Sequence, residues 1–194
     1  MDHHLTVPEN VLWASYTCWW VMELWVISRD RRRFSGRTAD RGSFIGFVIC
    51  IPLALIIAFG SAFRLPQLHI TLLQPGLSWA GIAMIWMGMA FRLWAVLTLG
   101  AFFRTSVVVQ DGHQLVTAGP YRWLRHPSYT GVIVTSVGLG LALGNWVSLL
   151  AMAILPALAI AFRMRVEERA LGEQFGETYR EFCVSRSAVL PGIW

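Results

Sequence analysis

The 194-residue chain is 56% hydrophobic and only 14% charged, with a formal net charge of +5, whereas soluble domains average about 25% charged residues. All 16 basic residues are arginines, and those at 29, 31, 32, 33, 37 and 41 crowd one short segment between apolar runs. This clustering excludes a nucleic-acid-binding face, which needs basic residues spread along a soluble surface. It fits instead a membrane-protein loop held on the cytosolic side by its arginines.

No charge lies between Arg41 and Arg64, between Arg64 and Arg92, or between Arg125 and Arg163. A spanning helix needs roughly 20 predominantly apolar residues, and these gaps supply that length repeatedly. The expectation is an all-α integral membrane protein with about five transmembrane helices, forming a single membrane-embedded domain over residues 1–194. Residues 1–76 would hold two spans and a connector, and residues 77–194 the core. Cys18, Cys50 and Cys183 are isolated and match no metal or redox spacing, so they are read as packing residues and no metal is expected. The start, Met1 to His4, lacks the basic n-region of a signal peptide and is expected to be retained.

The first predicted span, about Val11 to Ile27, carries Trp13, Trp19, Trp20 and Trp25, which suit a membrane interface. Glu23 near its basic end is read as snorkelling or pairing with a nearby arginine. The second, Ser43 to Phe63, is charge-free, with Pro52 expected to kink it. The third, about Leu77 to Leu99, contains Arg92. A charge at that depth is costly and faces protein or a wet cavity, so both structural pairing and a site role stay open.

Residues 100–126 form a long, partly polar connector, the kind of loop that is often functional. The charge-free run from Pro127 to Phe162 would extend about 54 Å as one helix, well beyond a bilayer core of about 30 Å. Gly144-Asn145 is a turn signal near its middle, so a tight hairpin of spans four and five is predicted. Ser136, Gly140 and Gly144 on one arm, and Ala153, Ala157 and Ala161 on the other, have the spacing that lets membrane helices pack closely. In the polar tail, Leu171, Phe175, Tyr179 and Phe182 predict an amphipathic helix lying back on the site or the interface. With the arginine-rich loop inside, five spans put the N-terminus outside. The connector and the C-terminus then share the cytosolic side.

Two segments carry candidate chemistry. In His113 to Gly131, Gly119-Pro120 makes a turn and Pro127 opens a helix, a position proline tolerates. The free N–H groups of that helix start favour an anion. His126 and Ser128 add donors, and Tyr121, Trp123 and Tyr129 add aromatic faces for a cation. Such a stretch suits a ligand with a carboxylate, a flat group and a positive centre. In the second segment, Arg163 and Glu167 share a helix face. They form either a salt bridge in the less favourable order or a divided site, with Glu167 on an ammonium and Arg163 forked onto an anionic substrate.

Arg125-His126-Pro127-Ser128-Tyr129 with Gly131, then Glu167-Glu168 with Leu171, Phe175-Gly176, Tyr179 and Pro191, resemble the isoprenylcysteine carboxyl methyltransferase family, to which phospholipid N-methyltransferases are related. The resemblance covers roughly residues 88–191 and makes residues 77–194 a methyltransferase-like core. It implies S-adenosylmethionine as cofactor, held by Gln110, His113, Gln114, Leu115, Val116, Tyr121, His126, Pro127, Ser128, Tyr129 and Glu167. A lipid-modified or amphiphilic carboxylate is the implied substrate and would meet Arg163. Arg163 and Glu167 are then the catalytic candidates, and membrane lipids surround the protein. The alternatives are a phospholipid or amine N-methyltransferase on the same scaffold and an NADPH-dependent membrane reductase of the sterol type.

Overall fold

The computed structural model of the chain describes residues 9–31, 37–38, 43–71, 76–103, 108–109 and 115–190. These residues form six α-helices: α1 (Glu9–Arg31), α2 (Ser43–Arg64), α3 (Gly76–Leu99), α4 (Pro127–Ala142), α5 (Trp146–Phe175) and α6 (Glu177–Val184). The extended structure in a ladder is one antiparallel pair of two-residue strands, Arg37–Thr38 against Val108–Val109. That pairing puts Arg37–Thr38, between α1 and α2, beside Val108–Val109, between α3 and α4.

Among the described residues, three helices are long and apolar enough to cross a membrane: α2, from Ile45 onward, α3 and α5. Helix α4 is apolar but has only 16 residues, about 24 Å at the usual rise. Helix α1 has the length, 23 residues, but carries Glu9, Glu23 and Arg29 along it. The outward side chains, among them Ile45, Val48, Ile49, Ile56, Met87, Leu97, Leu150, Ile154 and Leu158, are as apolar as those inside. Helices hydrophobic all round belong to a lipid solvent.

The core forms where the five long helices meet, around Leu12, Trp19, Leu55, Ala58, Ile85, Met89, Leu139, Leu143 and Met152. Trp13 stacks on Phe59 at 5.5 Å, and the Trp86 indole donates to Ser15 Oγ at 3.1 Å. The closest backbone approach is between α3 and α4. A Cβ on Gly131 would lie 2.6 Å from Arg92 Cβ, and one on Gly138 would lie 2.7 Å from the Gly81 carbonyl. On α3, a Cβ on Gly88 would meet the Thr135 backbone N at 2.6 Å and one on Gly81 the Gly138 carbonyl at 2.6 Å. Two glycines seven residues apart on each helix thus face one another. The sequence placed the small-residue contact within the hairpin. Gly140 does meet Leu149 and Met152 of α5, but the tightest seam joins α4 to α3.

At the far end of α4, Leu143 to Asn145 turn the chain into α5. Asn145 Oδ1 accepts from the backbone N–H of Val147 and Ser148 at 2.9 and 3.3 Å, a standard helix N-cap. Its Nδ2 donates to the Leu65 carbonyl at 3.1 Å, and Ser148 Oγ donates to the Ala58 carbonyl at 2.6 Å. The end of α2 is thereby tied to this turn.

The tail corrects one expectation. The fifth helix does not end at Phe162 but runs on through Arg163 and Glu167 to Phe175. Helix propensity is indifferent to the change from apolar to polar, and Arg, Met, Glu, Ala and Leu all favour helix. The break comes at Gly176, whose φ is +54°, a conformation glycine adopts without steric cost. The predicted stripe therefore divides, with Leu171 and Phe175 on α5 and Tyr179 and Phe182 on α6.

The glycine seam sets a clear contrast between two substitutions. Gly88→Ala forces α3 from α4 and should destabilise by about 1–3 kcal/mol. Gly60→Ala, with nothing within 4 Å of the added carbon, should be neutral or stabilise by up to about 1 kcal/mol. Thermal melts of the two variants in detergent micelles measure the difference.

Candidate functional site

Three segments converge on the first turn of α4: the connector from Leu115 to His126, the polar half of α5, and residues 185–190 after α6. The connector arrives through a short 3-10 turn, Gly119–Arg122. Gly119 has φ +55°, and a Cβ there would meet Thr98 Oγ1 at 2.8 Å, so the turn sits against the end of α3. Trp123 packs edge-on to Trp94 at 6.3 Å.

The C-terminal segment is sewn along this connector. Arg186 Nε donates to the Tyr121 carbonyl at 2.9 Å. The N–H groups of Arg125 and His126 donate to the carbonyls of Ser187 and Ala188, both at 2.9 Å. Thr130 Oγ1 donates to the Val189 carbonyl at 2.6 Å.

Neighbouring residues on a helix point about 100° apart, so Glu167 and Glu168 reach different partners. Glu168 Oε1 accepts from Arg125 Nη1 at 2.6 Å and lies 3.1 Å from His126 Nε2. Arg125 Nη1 also lies 3.4 Å from Cys183 Sγ. Glu167 Oε2 accepts from the Tyr129 hydroxyl at 2.7 Å, and that hydroxyl accepts from Arg163 Nε at 2.8 Å. Arg163 and Glu167, one turn apart on α5, are thus joined through a phenol of α4. Arg163 is buried and its guanidinium lies 5.6 Å over the Phe47 ring of α2, a cation–π arrangement. Glu167 keeps 32% of its side chain exposed. The His126 ring stacks on Tyr129 at 5.5 Å.

Arg92 lies beneath this turn. Its Nε is 2.6 Å from Glu23 Oε1 and its Nη2 donates to Glu23 Oε2 at 2.7 Å, a two-pronged pair between α3 and α1. Its Nη1 donates to Ser128 Oγ at 2.9 Å. Tyr121 is buried between the two charged regions. Burial pushes its phenol well above the ordinary range, the Glu167 carboxylate adds to the shift and Arg92 opposes it. The phenol is therefore protonated at neutral pH and can donate a hydrogen bond.

The structure gathers Tyr121, His126, Pro127, Ser128, Tyr129, Arg163 and Glu167 around one helix turn. Leu115 and Val116, both half-buried, lead into it. Gln110, His113 and Gln114 lie outside the described residues. Two details differ from the sequence reading. The Ser128 hydroxyl is turned into the bundle toward Arg92. Backbone donors read as anion-binding are already engaged: His126 N–H by Ala188, and Tyr129 and Thr130 N–H by the His126 carbonyl at 3.0 and 3.3 Å. Among the described residues, no three His, Cys, Asp or Glu side chains are placed to hold a metal.

Sequence reasoning missed the separate partners of Glu168, the ring of Phe47 and the path of residues 186–189. Backbone pairing of an extended tail leaves no side-chain signature. The Glu23–Arg92 pair was accessible, because these are opposite charges buried in otherwise apolar helices.

A comparison with known families falls on the same region. Residues 81–173 match the model of the isoprenylcysteine carboxyl methyltransferase family. The chain is 37% identical over 115 residues to protein-S-isoprenylcysteine O-methyltransferase A of Arabidopsis thaliana, covering 58% of each protein. It is 36% identical over 119 residues to the Homo sapiens protein-S-isoprenylcysteine O-methyltransferase, covering 60% of this chain and 42% of that one. Its fold is similar to the solved eukaryotic intramembrane Ras methyltransferase of this family, with a TM-score of 0.62 and 28% identity, over 76% of this chain and 52% of that one. The chain therefore spans between about two fifths and three fifths of these relatives.

Glu168→Ala would leave Arg125 and His126 facing each other without their shared acceptor. A stability loss of about 2–4 kcal/mol is expected, less than a fully buried pair would give because Glu168 is partly exposed. A denaturation melt reads the loss, and faster proteolysis after Phe182 reads the release of the tail.

Proposed function

We propose that this chain belongs to the isoprenylcysteine carboxyl methyltransferase family, which it resembles, and is a membrane enzyme that methylates the carboxylate of a lipid-like acceptor. The acceptor is a protein-C-terminal isoprenylcysteine or an analogue of it. S-adenosylmethionine supplies the electrophilic methyl group when bound. The observation that carries the reading is the Arg163–Tyr129–Glu167 chain, which sets a buried cation and a half-exposed anion beside one helix start.

The residues fit a cofactor of this kind. Its positive centre needs anionic or aromatic neighbours, and Glu167, Tyr129 and His126 provide them. Of the two acids, Glu168 is committed to Arg125 and His126, which leaves Glu167 the more accessible. Tyr121 is a protonated donor beside it, and Leu115 and Val116 supply apolar wall. Gln110, His113, Gln114 and Pro127 complete the proposed contacts, and Ser128 belongs to the same turn.

The chemistry asks little proton movement of the protein. A carboxylate is already ionised near neutral pH, so no general base is needed. The work left is to bind the acceptor, strip it of water and hold it in line. Arg163 is suited to the first task. Its guanidinium is oriented by Tyr129 at Nε and backed by the Phe47 ring, an apolar setting that strengthens its pull on an anion.

Five crossings, with the N-terminus outside and the site on the cytosolic side, fit this chemistry. The arginines at 29 to 41 favour the cytosol, and Arg37–Thr38 pairs with Val108–Val109 of the connector. A water-soluble cofactor then arrives from the cytosol and a prenyl chain from the bilayer.

The test is transfer of a labelled methyl group to farnesylcysteine, geranylgeranylcysteine and phospholipid acceptors in proteoliposomes. Arg163→Ala should lower kcat/KM for the carboxylate acceptors about 100-fold, the loss expected for a charge-assisted contact of about 3 kcal/mol. Unchanged methylation of every carboxylate by this variant, or labelling of phospholipid amines alone, would overturn the assignment.

A further inference from the structure

Glu23 stands apart from everything the functional reading uses. It belongs to α1, outside the matched residues 81–173, and yet it is the carboxylate that Arg92 grips with two nitrogens. Ionisable groups within apolar helices are costly and are retained where they do something specific. A buried ion pair is seldom favourable to stability when weighed against packed apolar residues. The third arm of Arg92 shows where this pair is directed: Nη1 donates to Ser128 Oγ at 2.9 Å and reaches the Ser128 carbonyl at 3.4 Å. Ser128 is next to Tyr129, whose hydroxyl joins Arg163 to Glu167. Gly131 presses against Arg92 itself, with its missing Cβ 2.6 Å from Arg92 Cβ, so the backbone there has no room to drift.

We infer that Glu23 and Arg92 are positioning residues: through Ser128 they fix the first turn of α4, and so the placement of His126 and Tyr129 against Glu167. Helix α1 is by this route part of the site, although none of its described side chains enters it. Glu23 holds the guanidinium flat, Arg92 holds Ser128, and the helix turn is locked from below while the tail locks it from above.

The consequence for methyl transfer rests on the proposed function; the consequence for the turn does not. Two readouts therefore run in parallel on the full-length protein in proteoliposomes. The first is hydrogen exchange at the amides of residues 126–131. Glu23→Gln and Ser128→Ala should each speed it about tenfold, with residues 148–160 of α5 unchanged and the melting temperature of Ser128→Ala near that of the wild type. The second is a double-mutant cycle on the KM for S-adenosylmethionine. Each substitution should raise KM about five- to tenfold, and the double variant should be no worse than the worse single one, because both cut one link. Should Glu23→Gln not fold, Glu23→Asp keeps the charge but shortens the fork and is read the same way. Exchange at 126–131 that stays at the wild-type rate in both variants overturns the inference, as does a double variant whose KM effect is the product of the singles. A wild type that methylates no acceptor would overturn the proposed function instead, and the exchange readout would still decide the role of Glu23.

Discussion

An apolar helix bundle tolerates a charge only where another group answers it, and in this protein the answers converge on one helix turn. Below the start of α4, Arg92 is held by Glu23 and bonded to Ser128. Above it, Glu168 draws in Arg125 and His126, while Glu167 reaches Tyr129 and, through it, Arg163. Four helices and the end of the connector are registered by these contacts. An unpaired buried charge costs several kcal/mol, so the network behaves as a unit: moving one helix leaves charges on the others unanswered.

That convergence needs α3 and α4 to be closer than ordinary side chains allow. The glycines at 81, 88, 131 and 138 supply the space, and backbone contact between the helices brings Arg92 under Ser128. At the other end of α4, Asn145 and Ser148 tie the return of the chain to α2. One end of the bundle is held by neutral hydrogen bonds within the apolar region. The other is held by charges and opens toward the connector and the tail. The division suits a site where a polar ligand and an apolar one must meet.

Much of this was readable from the sequence because charge in a membrane protein is sparse and therefore informative. The apolar runs marked the helices, the turn at Gly144-Asn145 marked the return, and the motifs around His126 and Glu167 marked the residues that come together. What was not legible depends on three-dimensional register. Arg163 and Glu167 could be placed on one face, but the phenol of Tyr129 between them could not. The continuation of α5 past Phe162 was hidden by the change of polarity, which looks like a boundary and is not one to the backbone. The seam of Gly81, Gly88, Gly131 and Gly138 was not picked out, because spacing shows that a helix face is smooth but not which helix lies against it. The pairing of residues 187 and 188 with 125 and 126 uses main-chain atoms common to every residue.

On the proposed function, the turn at His126 to Tyr129, with Glu167 beside it, binds an S-adenosyl cofactor. Calorimetric titration of the purified protein in nanodiscs with S-adenosylhomocysteine, and separately with NADPH, tests it most directly. Saturable one-to-one binding of S-adenosylhomocysteine, weakened about tenfold or more by Glu167→Gln, with none for NADPH, is the expected result. Binding of NADPH without S-adenosylhomocysteine, or an S-adenosylhomocysteine affinity that Glu167→Gln leaves unchanged, would contradict it.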